Sequence, residues 1–398
     1  MKCCKWLILC VLVGWSSVLH GSPDTLRIVS YNVENLFDNR HDTLKSDLDY
    51  TPEGARHWTY RRYQAKVERI AQVLTAIGGW HDADIAPAAS SPLTDTDHIG
   101  TSHAPVLVGL CEVENARCLR SLCWCLRRYH YQYVHYESPD ERGIDVALLY
   151  DSTRFHLLHS EPIPVTLLSA PTRDILYVQG TILPNSNPFL SNTPHAPTPN
   201  FNNTGVYGTP YTADTTIYHT LHITDTSTYY IQNLSDTALV ATPTTSDTLH
   251  IFICHLPSQL GGTSETAWKR AIAKSVLQSR IDSLLTSNPL ARVIVMGDMN
   301  SAPADDLSRM TNLMLPLADE TPLGTCGTHK YNGIWTFLDQ FYISEALQAR
   351  VSTYVFAPFW LLEPDEKYLG TKPRRTFNGY HYQDAYSDHL PIVLQICR

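Results

Sequence analysis

Nine short stretches of this chain are dense in apolar and β-branched residues, and several carry a carboxylate, an amide or an imidazole at or beside one end. They are LRIVSYNV (26–33), PVLVGLCEV (105–113), YQYVHY (131–136), IDVALLY (144–150), DILYVQGTIL (174–183), LHIFICHL (249–256), RVIVMGD (292–298), FLDQFYIS (337–344) and PIVLQIC (391–397). Several run apolar without alternation, which predicts strands covered on both faces. Two amphipathic helices accompany them. In 61–77, Tyr63, Val67, Ile70, Leu74 and Ile77 recur at helical spacing before Gly78-Gly79. In 265–285, Trp268, Ile272, Leu277, Ile281 and Leu284 form a similar stripe before Pro289. Strands in two runs with helices laid outside predict a layered α/β sandwich and argue against a barrel or a bundle.

With 398 residues, 43% of them hydrophobic, the chain can build one large core or two moderate ones, which excludes a disordered protein or a small disulfide scaffold. The formal net charge of −9 speaks against a bulk electrostatic grip on nucleic acid, although a local basic patch is compatible with it. None of the cysteine and histidine spacings is that of a structural zinc site. At the N-terminus, Lys2 and Lys5 precede the apolar run Trp6–Trp15, and small and polar residues follow to Ser22. That order predicts a secretory signal peptide over 1–22, hence an exported protein, periplasmic or extracellular, with no membrane anchor after its removal. The remaining cysteines, Cys111, Cys118, Cys123, Cys125, Cys254, Cys326 and Cys397, are odd in number and cannot all pair within one chain.

One stretch is compositionally foreign. Residues 185–246 contain no Lys, Arg or Glu, abound in Thr, Asn, Pro and Ser, and separate two strands that would otherwise make a hairpin. This predicts an insertion, as does the Asp/Pro/Ser/Ala-rich stretch at 80–104, within a catalytic domain over 26–398.

Chemistry is concentrated at the strand ends. Asn32 follows LRIVSY, Glu112 sits in VGLCEVEN, His255 closes IFICH, and Asp298 and Asn300 close RVIVMGDMN. Asp339 interrupts FLDQFYIS, and Asp388-His389 open DHLPIVLQI. Taken singly, a strand-end Asp or Asn often only caps a turn, and His255 could be a hydrogen-bonded core histidine. A carboxylate directly after five or six apolar strand residues, however, lies near the rim of a buried sheet, where it needs a partner or a metal.

The order of these motifs carries a resemblance. N-V-E-N (32–35), G-L-C-E-V-E-N (109–115), R-G-I-D-V-A-L-L-Y (142–150), H-L-P-S (255–258), G-D-M-N (297–300), L-D-Q (338–340) and S-D-H-L-P-I (387–392) resemble the endonuclease/exonuclease/phosphatase superfamily from about residue 26 to the C-terminus. The resemblance implies a four-layer α/β sandwich, two packed mainly antiparallel sheets flanked by helices, with one divalent-metal hydrolytic site at their rim. It implies Glu112 as main metal ligand, with Asn32 and the added negative charge of Asp388, for Mg²⁺ or Mn²⁺. Asp298 would orient and deprotonate the attacking water, and Asn300 would hold that water and a phosphoryl oxygen. His389, oriented by Asp339, would hydrogen-bond the phosphate, with His255 and Arg142 as further phosphate contacts. Asp145 and Glu137 are alternative orienting carboxylates for His255.

Together these point to a metal-dependent phosphoester hydrolase, a nuclease or phosphodiesterase acting on nucleic acid or a small phosphodiester, with no obligate protein partner. A phosphomonoesterase or sphingomyelinase-like lipid phosphodiesterase is the alternative among enzymes, and a secreted binding protein on a retained catalytic fold is the alternative of another class. No GxxxxGK loop is present, which speaks against NTP-driven work.

Overall fold

The computed structural model describes residues 25–79, 104–167, 171–184, 248–259, 261–303, 312–313 and 327–397. The N-terminal signal segment, the two expected insertions (save Ala104) and Cys326 lie outside the described residues.

The first sheet is assembled from β1 (Thr25–Leu36), β2 (Leu107–Val113), β3 (Tyr131–His135), β4 (Asp145–Asp151), β12 (Val351–Val355) and β17 (Ile392–Cys397), in the order β12-β17-β1-β2-β4-β3. The second contains β5 (Phe155–Ile163), β6 (Ile175–Ile182), β7 (Thr248–His255), β8 (Arg292–Asp298) and β11 (Asp339–Ile343), in the order β11-β8-β7-β6-β5. Only β1–β2 and β7–β8 pair in parallel; every other pairing in the two sheets is antiparallel. Each parallel pair is bridged by a helix, α1 (Tyr60–Gly79) in the first sheet and α3 (Thr263–Ser287) in the second. A further helix, α2 (Ala116–Cys125), follows β2, and small hairpins β9–β10 (His329–Tyr331 with Ile334–Thr336), β13–β14 (Leu362–Pro364 with Thr371–Pro373) and β15–β16 (Phe377–Asn378 with His381–Tyr382) decorate the C-terminal half.

The uninterrupted apolar runs have a simple cause: these strands bury both faces. In β7, Ile251 and Ile253 enter the core between the sheets, while Phe252 and Cys254 face outward against α3. In β8, Ile294 and Met296 point inward, and Val293 and Val295 point outward. The period of two along a strand thus divides one run between two cores. On the opposite side, Val67, Ile70, Leu74 and Ile77 of α1, with Leu119 and Leu122 of α2, cover the first sheet. Full burial of such side chains contributes about 1.5–3 kcal/mol each. The layers are helix, sheet, sheet, helix: a four-layer α/β sandwich, as the motif order implied.

The sheets approach closely at Gly109, where an added Cβ would lie 2.8 Å from the Met296 methyl. Strands β6 and β7 pair directly, from Leu176 opposite Ile253 to Thr181 opposite Thr248. No helix among the described residues is long and apolar enough to cross a membrane.

Candidate active site

Parallel pairing decides where the polar residues meet. β1 and β2 run side by side to Asn32 and Glu112, and β7 and β8 run side by side to His255 and Asp298. The facing sheets bring these four ends together: Asn32 Nδ2 donates to Glu112 Oε1 at 3.2 Å and to Asp298 Oδ2 at 3.1 Å. Past Asn32 the β1–β2 register shifts, and Glu34, Asn35 and Glu112 take left-handed φ values of 50°, 55° and 68°. Non-glycine residues adopt this region at some energetic cost, and such strain concentrates at functional sites. Here it lets the Asn35 amide donate to Glu112 Oε2 at 2.8 Å.

Asp298 is the hub. Its Oδ1 accepts from the Asn300 amide at 2.9 Å, while Asn300, itself at φ 49°, donates through Nδ2 to Leu256 O at 2.9 Å. His255 Nε2 lies 3.7 Å and His389 Nε2 3.9 Å from Asp298 Oδ2, and His255 Nε2 lies 3.8 Å from Glu112 Oε1. These gaps are too long for direct hydrogen bonds, and they suit side chains that converge on a third atom. Asp339 on β11 receives His389 Nδ1 at 2.7 Å, and the Ser387 hydroxyl accepts from the His389 amide while donating to Asn32 O.

The two imidazoles are poised oppositely. Burial pulls His389 toward the neutral form, but Asp339, Asp298 and Asp388 outweigh it and hold its pKa well above the usual value. Burial, reinforced by Arg173 and Arg142, pushes His255 well below it. Burial raises the Asp298 carboxyl to about 6, against the lowering pull of His389 and the hydrogen bonds from Asn300 and Asn32. Asp388 is held below the ordinary carboxylate range: burial opposes ionisation, but His389, Arg375, His329 and Lys66 prevail.

The donor set fits a divalent cation. Glu112 and Asp298 share one amide group, His255 is neutral beside them, and Asp388 adds a third carboxylate. Carboxylates gathered at the rim of buried strands, within reach of water, suit a hard divalent cation that completes its shell with water. Glu112 and Asp388, 15% and 23% exposed, are the carboxylates the motif order offers for it, and Asp388 also accepts from Arg375 Nη2 at 2.9 Å. Asn32 differs from the expectation in one respect: its nitrogen faces the carboxylates and its Oδ1 accepts the Glu34 amide at 3.0 Å, so in this arrangement it clamps Glu112 to Asp298.

Arg142 is half exposed, its Nε 3.6 Å from Asp140 Oδ1. The two carboxylates expected beside His255 are a correction. Asp145 accepts from the Ser138 amide at 3.1 Å and from its hydroxyl, and its Oδ2 faces His135 Nε2 at 3.5 Å. Glu137 Oε1 lies 4.0 Å from His135 Nδ1. His255 Nδ1 is buried without a hydrogen-bond partner. The reason is topological: Asp145 opens β4 and His135 closes its hairpin partner β3, so these carboxylates meet that histidine.

Several contributing residues carry no local signal in the sequence. Arg173, 5% exposed, donates to His255 O at 3.2 Å and Leu256 O at 2.9 Å, and pairs with Asp140 at 3.0 Å. Arg375 Nη2 donates to Asp388 at 2.9 Å, with its Nε 3.5 Å from Glu34. Lys66, buried in α1, donates to Thr376 Oγ1 and Tyr386 O. Gln259 donates to Asn300 O at 2.8 Å, which gives that glutamine a structural task in the turn after His255.

Among solved structures the chain is similar to a functionally unknown conserved protein from Enterococcus faecalis (12% identity, 94% of this chain and 100% of that one, TM-score 0.46). It is also similar to a truncated TDP2 from Caenorhabditis elegans (13% identity, 94% and 98%, TM-score 0.48). A third similar structure is the human Nocturnin catalytic domain with bound sulfate (13% identity, 93% and 93%, TM-score 0.45). No curated protein matches the chain. The model of the Endonuclease/Exonuclease/phosphatase family matches residues 27–90, 93–198 and 215–398. That match covers well over half of the chain, including every residue of the cluster around Asp298, and the protein therefore belongs to the endonuclease/exonuclease/phosphatase family of phosphoester hydrolases.

Proposed function

We propose that the protein is an exported, Mg²⁺-dependent phosphodiesterase or nuclease that hydrolyses a phosphoester by direct attack of water. The observation that carries this reading is the convergence of His255 Nε2 and His389 Nε2 on Asp298 Oδ2 at 3.7 and 3.9 Å, with Glu112 alongside. The space they surround has an acceptor for the water's proton on one side and a cationic donor for a phosphoryl oxygen on another.

Asp298, with its pKa near 6, is ionised at neutral pH and basic enough to take the proton. His389 holds its proton and presents Nε2–H to the accumulating charge, because Nδ1–H is committed to Asp339. Asn300 fixes the Asp298 carboxylate from its amide. His255, neutral, contacts the phosphate or leaving oxygen without adding charge, and Arg142, half exposed, would reach a phosphate at the mouth. A divalent ion held by Glu112 and Asp388 supplies further charge stabilisation for the phosphoryl oxygens when bound. No side chain is needed as a covalent nucleophile.

The test is to assay the mature chain on supercoiled plasmid, RNA, sphingomyelin, inositol phosphates and a generic phosphodiester, with Mg²⁺, Mn²⁺ or EDTA. Cleavage of a diester that EDTA abolishes is expected. Asp298→Ala and His389→Ala should each lower turnover by about 10²–10⁴-fold. Undiminished turnover of Asp298→Ala on the best substrate would overturn the assignment. N-terminal sequencing of the exported form, expected to begin near residue 23, tests the signal peptide.

A further inference from the structure

The three residues around the β3–β4 turn invite a second reading. His135, Glu137 and Asp145 each offer one ligand atom, and these atoms lie within 4.8 Å of one another. Acidic residues near a histidine do not by themselves make a site, but two further features point to a ligand. His135 Nε2 and Asp145 Oδ2 belong to side chains only 3% and 1% exposed, and neither atom has a hydrogen-bond partner. They face each other at 3.5 Å. Two ligands at about 2.0–2.1 Å from a tetrahedral zinc ion lie roughly 3.3 Å apart. A buried imidazole and carboxylate left at that separation, and not closed to a hydrogen bond, form an unsatisfied pair.

The surroundings are arranged as metal sites are. Asp145 Oδ1, the other oxygen, is held by the Ser138 amide at 3.1 Å and by the Ser138 hydroxyl, which orients Oδ2 toward His135. Support of this kind behind a ligand is characteristic of metal centres. Glu137, 58% exposed, approaches the ring from its other edge, with Oε1 4.0 Å from His135 Nδ1.

We propose that His135, Glu137 and Asp145 bind a zinc ion, at a site separate from the oxygen-rich Glu112 cleft and independent of the catalytic reading. The imidazole selects a zinc-class ion over Mg²⁺. Its three ligands come from the end of β3, the loop and the start of β4, so the ion ties the two stems of the loop that carries Asp140 and Arg142. Through Asp140 and Arg173, that loop is linked to the backbone of His255. Zinc at this site therefore fixes the segment that presents Arg142.

The experiment strips the full chain with a chelator, returns it to millimolar Mg²⁺ and titrates Zn²⁺ against a chromophoric competitor, with bound metal counted after gel filtration. One zinc equivalent that millimolar Mg²⁺ does not displace is expected. His135→Ala and Glu137→Gln should each weaken it at least tenfold, and Ser138→Ala by about 10–100-fold. Glu137 is exposed, so its variant keeps the test valid if His135→Ala fails to fold. Glu112→Gln should leave this equivalent in place. Absence of a retained zinc, equal affinity in the Glu137 variant, or loss of the equivalent in Glu112→Gln would each overturn the site.

Discussion

Replacing Asp339 with Asn isolates the charge that sets the state of His389. The pair is 2.7 Å long, and its side chains are 0% and 8% exposed. Asn keeps the volume and an acceptor and removes the charge. Removing one partner of a buried pair typically destabilises by about 3–5 kcal/mol. Two features reduce that figure here. Asp298 Oδ2 remains 3.9 Å from His389 Nε2, and the imidazolium can release its proton at about 1.4 kcal/mol per pH unit. A loss of about 2–3 kcal/mol near pH 6 follows. Its pH dependence has a definite sign. The folded pKa of His389 stands well above 6.5, so the pair's contribution is complete below about 6.5 and is lost as pH rises through the folded value. Urea unfolding in EDTA, from about pH 5.5 to about pH 9, should show the widest gap between native and variant at the acid end. Turnover should fall by about 10⁴-fold, the scale for an orienting carboxylate lost from a catalytic histidine in the serine-protease triad. A stability gap that is flat with pH, or that widens toward alkali, would refute the reasoning.

Three further outcomes are expected. Burial raises the Glu114 carboxyl to about 9 from 4.5 against the lowering hydrogen bond from the Asp38 amide, so the folded chain retains a proton that the unfolded chain releases and stability falls between those values; Glu114→Gln should raise the melting temperature at about pH 8 and give little gain at about pH 4. Arg173→Ala leaves buried Asp140 with the Arg142 amide at 3.0 Å and the 3.6 Å approach of the Arg142 guanidinium, and should destabilise by about 3–5 kcal/mol in chemical denaturation, with Arg173→Lys recovering only part because it lacks the fork that reaches two carbonyls. Because β6 and β7 pair directly, replacing residues 185–246 with an Asn-Gly turn should give a soluble protein with an unchanged circular dichroism spectrum, and an insoluble product would count against the insertion.

How much of this was legible in the sequence depended on whether a residue's task is local. Strands such as β7 and β8 were readable because burial on both faces leaves a continuous apolar run, and the Asp298–Asn300 turn because an aspartate, an intervening residue and an asparagine after such a run form a compact pattern. Two of the edge strands, β5 and β12, were not. β5 has exposed and half-buried positions and carries Pro162, which an edge tolerates and which erases the apolar signature. Helix α2, ARCLRSLCWC, is short and rich in Arg and Cys, and it went unread; in the structure Asn115 caps it, accepting from the Arg117 and Cys118 amides. Partnership was the least legible property. Asp145 and Glu137 were read as carboxylates for a histidine, but which imidazole they face is decided by the β3–β4 register, in which His135 sits opposite Ala147, and that register is a long-range result of packing. Arg173 shows the same limit from the other side. An arginine just ahead of DILYVQ looks like a solvated strand terminus, yet the parallel β7–β8 ends leave two carbonyls, at His255 and Leu256, that need a buried donor. The chemistry-bearing atoms are therefore written in the strand ends, while the groups that fix their protonation and aim are supplied by whichever neighbours the sheet order delivers.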